Sequence, residues 1–161
     1  MAKARPIPDL SADESYAAAA AKILAVRAGE LVEQSSGVLD VADIERVHDM
    51  RVATRRLRAA LEVFEPCFPP KPYSRALKEV KFLADGLGER RDRDVAIGVL
   101  QDFSEKLNAP DRPGVESLIA ELRAEQTRAN EELAPLVSAE RLAEVRGSIE
   151  GLVAAARGVA G

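Results

Sequence analysis

Tryptophan is absent, aromatic residues make up 4% of the chain, and there is one cysteine and one histidine among 161 residues. So few aromatics leave no row of stacking platforms for single-stranded nucleic acid, and the core has to be aliphatic. A lone cysteine, Cys67, excludes an internal disulfide and fits a reducing cytoplasm. With one His and no second Cys, a zinc site lacks ligands. Cys67 in "EPCFPP" therefore reads as a half-buried apolar residue. No run approaches the roughly 20 apolar residues of a membrane span, and the N-terminus lacks the apolar stretch of a signal peptide. The expectation is a soluble, cytoplasmic protein. Period-two alternation is missing too, so no sheet is expected.

Catalytic signatures are also missing. There is no Gly-x-x-x-x-Gly-Lys loop, no His-Glu-x-x-His and no Glu-x-Glu-x-Lys strand, and the carboxylates do not cluster. The protein is expected not to be an enzyme and to hold no metal or cofactor.

What the sequence does have is alanine and leucine at helical spacing. Residues 1–10 carry two prolines and read as a flexible arm; residues 11–161 read as one domain. Ser11 followed by Glu14 resembles a capping box, predicting a first helix from about Ala12 to Gln34 that ends at "SSG". A second runs from near Asp43 to just before Pro66, with Val47, Met50, Thr54, Leu57, Leu61 and Phe64 on one face. A third spans Tyr73 to Leu87, with Gly88 as a left-handed stop. After "ERRDRD", Asp92 or Asp94 caps a fourth helix reaching Leu107. A fifth covers Val115 to Leu133, which Pro135 ends or kinks, and a last one starts near Ser138. Short turns between such segments predict an all-α fold, an antiparallel bundle of about five to six helices.

Formal net charge is −4, yet cations slightly outnumber carboxylates between Asp43 and Asp94. "VHDMRVATRRLRAALEVF" places His48, Arg51, Arg55 and Arg58 at spacings of 3, 4 and 3. On a helix they share roughly 80° of arc and border the apolar seam. Arg56 points elsewhere. The third helix adds Lys71, Arg75, Lys78 and Lys81, and Arg90, Arg91 and Arg93 follow. If the two helices pack side by side, these rows meet in a basic groove that repels itself unless an anion fills it. Arginine's planar, permanently charged donors suit phosphate oxygens. The same face could instead serve nucleic acid or an acidic protein, or its arginines could pair with nearby carboxylates.

Two segments resemble signatures of the CHAD family, the conserved-histidine α-helical domain. The first is His48, Arg51, Val52, Arg55, Arg56 and Arg58. The second, in "LADGLGERRDRDV", is Leu87, Gly88, Arg91, Asp92, Asp94 and Val95. The resemblance implies a helical domain that binds inorganic polyphosphate through a basic cavity, associated with triphosphate-processing enzymes and polyphosphate granules. It assigns phosphate contacts to Arg51, Arg55, Arg58 and Arg91, with His48 in support and Asp92 and Asp94 as caps or arginine-orienting groups. Arg75, Lys78, Lys81 and Arg90 join the candidates from their place on the neighbouring segment. A typical member is about twice this length, with two bundles facing one channel. This chain resembles one half, so a homodimer with opposed basic faces is expected.

Overall fold

Ser15, not Ser11, opens the first helix. The computed structural model describes residues 3–160. In it α1 spans Tyr16–Glu33, and the Ser15 hydroxyl accepts a hydrogen bond from Ala18 N–H at 3.2 Å. Ser11 and Glu14 do interact, since Ser11 N–H donates to Glu14 Oε1 at 2.8 Å. The Ser11 hydroxyl, however, accepts from Asp13 N–H, which builds a turn upstream instead of a helix start. Before it, Arg5 engages both Glu30 and Glu33 of α1. Ala17, Ala20, Ala21, Leu24, Ala28 and Leu31 form the buried face of α1. Gly37, with φ of 68°, turns the chain after α1. A Cβ there would sit 2.9 Å from the Arg46 side chain and would force that conformation on an L residue.

Helix α2 covers Glu45–Val63 and stops ahead of Pro66 in a 3-10 turn, Glu65–Cys67. Cys67 is half-buried against the core, and burial raises its thiol pKa above the ordinary value. Helix α3 then runs without interruption over 36 residues, Pro70–Glu105. This corrects the sequence reading, which split it at Gly88. Gly88 has no positive φ and lies inside the helix. "ERRDRD" reads as a break because it is densely charged. Its residues instead form bonds at i,i+4 along the helix, Arg90 to Asp94 and Arg93 to Glu89.

Helix α4 spans Arg112–Leu133, with Pro113 in its first turn, where a missing N–H costs nothing. Pro135 ends it through a 3-10 turn, Ala134–Leu136, and α5 follows over Ala139–Ala160. Five α-helices and no strand make up the described residues, and none is long and apolar enough to cross a membrane.

α1 packs on α2 and α5, α2 on α3, and α3 on both α5 and α4. The aliphatic cluster joins Leu24, Leu31, Met50, Leu57, Leu61, Val80, Leu87, Ile149 and Leu152. It takes nothing from the chain between Leu87 and Leu133. The first half of α3 thus completes a four-helix bundle with α1, α2 and α5. Its second half and α4 form an antiparallel hairpin, pinned where Gln126 meets Asp94 and Asn130 meets Arg90.

Candidate anion-binding face

The buried face of α2 consists of Val47, Met50, Ala53, Thr54, Leu57, Ala60 and Leu61. The basic row runs along one edge of it. Even Thr54 stays dry there, because its hydroxyl donates to Met50 O at 2.8 Å. His48, Arg51 and Arg58 are half-buried, and Arg55 is exposed. Long cationic side chains at such an edge lay their stems on apolar surface and keep their heads in water. His48, Val52, Arg55, Arg56, Arg58, Ala59 and Glu62 line an open depression of about 620 Å³. Arg58 donates to Glu62 at 3.0 Å, an exposed i,i+4 pair that an incoming anion can compete with. Among the described residues, the side chains of His48, Arg51 and Arg55 have no hydrogen-bond or ion-pair partner.

α3 lies antiparallel beside this edge. Arg91 fixes the level: its Nη1 donates to Ile44 O at 3.3 Å and lies 3.8 Å from Glu45 Oε1. Counting away from that contact at equal rise puts Lys81 roughly opposite Arg55 and Lys78 roughly opposite Arg58. On the helical wheel of α3, Lys81 stands about 80° from Arg91, on the outer side of the edge that meets α2, and Lys78 about 140° from it, on the solvent face. Lys78 is exposed and Lys81 half-buried, and neither has an ion-pair partner among the described residues. Arg75 is farther out and bound to Glu79 at 3.4 Å.

Arg90 requires a correction. It was expected among the binding cations, but it is 0% exposed. Its Nε donates to Asp94 Oδ1 at 2.9 Å and its Nη1 to Asn130 Oδ1 at 2.6 Å. Gln126 Nε2 donates to the same Asp94 oxygen at 2.6 Å, and Asn130 Nδ2 donates to Leu39 O at 2.9 Å. Arg90 is therefore a positioning residue. It joins α3, α4 and the loop into α2, and neighbouring Arg91 ties the other end of that loop. Asp94 acts as an arginine-orienting group here and caps nothing. Sequence reasoning missed Gln126 and Asn130. The signal for Arg90 and Asp94 was present, since Leu87, Arg90, Asp94 and Ile97 continue the 3-4 seam of α3 through the supposed break. No group of three or more His, Cys, Asp or Glu side chains that could hold a metal is found among the described residues.

The geometry and both motifs agree with one comparison. A model of the CHAD domain matches residues 22–160, nearly the whole chain. The chain belongs to the CHAD family. No curated protein matches it. In this CHAD domain the histidine motif forms the outer edge of α2. The Leu-Gly-x-x-Arg-Asp-x-Asp-Val element occupies the middle of α3, where α2 begins beside it and the bundle gives way to the hairpin. The family is associated with polyphosphate and triphosphate binding.

Proposed function

We propose that this CHAD domain is a non-catalytic module that binds inorganic polyphosphate along the α2–α3 edge. Arg51, Arg55 and Arg58 of α2 and Lys78 and Lys81 of α3 supply the contacts. His48 and Arg91 stand at one end and Arg75 at the other. What supports the reading is a row of cations along the edge of α2, in which His48, Arg51 and Arg55 have no partner among the described residues, with unpaired Lys81 on the adjoining side of antiparallel α3. Like charges at this spacing repel by a few tenths of a kcal/mol per pair, and a chain of phosphates relieves that repulsion. Arg51 to Arg58 extends roughly 10 Å along the helix, long enough for several phosphates in a row. A single chain offers an open face, so binding rests on electrostatics and weakens steeply with salt. A cytoplasmic setting near polyphosphate granules or triphosphate-processing enzymes belongs to the same proposal.

Thermal unfolding at low salt, with and without polyphosphate, tests it. A ligand that binds only the folded state raises Tm by mass action. The triple variant Arg51→Ala, Arg55→Ala, Arg58→Ala loses that rise while keeping its helical circular dichroism. An unchanged Tm for the wild type refutes the proposal. Duplex DNA displacing polyphosphate at matched charge concentration turns the reading toward nucleic acid.

A further inference from the structure

On α3 beyond Leu87, one face carries Arg90, Asp94, Ile97 and Ser104, all buried. Gln126 and Asn130 show that α4 covers it. About 180° around the helix, the opposite face is left uncovered by the described residues. There Val95, Val99 and Phe103 are 47%, 61% and 50% exposed. A run of large apolar residues on the outside of a two-helix hairpin marks a contact surface.

The pattern around Val99 identifies the occupant. Val95 and Phe103 stand four residues to either side of it. Asp92 and Lys106 stand seven residues to either side, two helical turns, which returns them to the same face. The carboxylate precedes Val99 and the ammonium follows it. Both are exposed, and neither side chain has an ion-pair partner among the described residues. Two antiparallel copies of this seam, related by a two-fold axis at Val99, complement themselves. Val99 meets Val99, Val95 meets Phe103, and Asp92 meets Lys106 at both ends. A two-fold contact demands self-complementarity of this kind.

We propose that the Asp92–Lys106 seam of α3 docks a second copy of this chain, antiparallel, about an axis through Val99. The contact is one helix wide, which sets it in the weak, reversible class of interfaces. It is independent of polyphosphate. It leaves the Lys81 residues of the two copies roughly 50 Å apart along the common axis. The basic faces then lie at opposite ends of the dimer, not across one channel as the sequence reading expected.

Analytical ultracentrifugation without polyphosphate, from low micromolar to near-millimolar protein, decides the matter. The wild type should show a concentration-dependent monomer–dimer equilibrium. Val99→Lys places two ammonium groups on the axis and should leave monomer at every concentration, with unchanged helical circular dichroism. Asp92→Lys and Lys106→Asp should each weaken the dimer at least several-fold, and the double variant should restore it. In a Cys67→Ser background, Val99→Cys should crosslink to itself on oxidation, whereas Leu118→Cys on α4 should not. A monomer throughout, a dimer indifferent to Val99→Lys, or a double variant that fails to recover would overturn the proposal.

Discussion

The two halves of α3 sit in opposite environments. From Tyr73 to Leu87 the helix presents Ala76, Val80, Leu83 and Leu87 to an aliphatic core shared with α1, α2 and α5. From Arg90 to Ser104 its buried face meets α4 and carries an arginine, an aspartate and a serine beside Ile97, while Arg91 reaches aside to the start of α2. Four helices enclose a dry interior, whereas two helices can only share a seam. Where apolar burial runs short, the chain fixes the angle of the hairpin with a charged network. Such a pair contributes little net stability, because desolvation offsets the attraction, but it specifies a geometry. That geometry holds the loop through Leu39 and Ile44, and with it the start of α2 and His48.

Breaking the network should produce the largest effect. Asp94→Ala strands the Arg90 guanidinium and should cost about 3–5 kcal/mol in urea unfolding. Replacing Arg90 by Met and Asp94 by Leu together should cost far less. Arg90 Nη2 and Asp94 Oδ2 have no hydrogen-bond partner even in the intact network, so what an apolar pair gives up is the partners of Gln126 Nε2 and Asn130 Oδ1, with no charge left stranded. If the double variant is as unstable as Asp94→Ala, the network is more than a local clamp.

Cavities compare the halves directly. Ile149→Ala empties the bundle core and should cost about 2–5 kcal/mol. Ile119→Ala removes the same atoms at the edge of the hairpin and should cost about half that or less, because the site can collapse. Equal losses in chemical denaturation would mean that the hairpin is as tightly packed as the bundle.

The smallest effect tests the junction between the halves. A Cβ on Gly88 would meet nothing within 4 Å. Gly88→Ala should therefore raise stability by about 0.5–1 kcal/mol, as expected for a helix interior. A left-handed stop at that position would make the same substitution destabilising, so the sign of the change in Tm separates a continuous α3 from a broken one.

Much of the architecture was legible in the residues. The seam from Val47 to Phe64 gave α2, Pro66 and Pro135 marked ends, and Leu142, Val145, Ile149 and Leu152 gave α5. The division of α3 was misread because Gly88 and a cluster of six charged residues carry the local signals of a helix end, while the seam running through them depends on a partner helix. The basic row of α2 was legible for the converse reason. Its spacing is local, and an edge needs no partner to be charged. Arg90 and Arg91 are identical as letters, and the sequence assigned both to the groove.

Local chemistry determined that helices form, where prolines and capping hydroxyls bound them, and that cations line one edge of α2. Only the tertiary structure decided which arginine went inside. Adjacent helical residues point about 100° apart, so α4 crossing one face buried Arg90 with Asp94 and left Arg91 to reach across to α2. No property of either side chain separates the two. The difference lies in where another helix, some 30 to 40 residues farther along the chain, comes to rest.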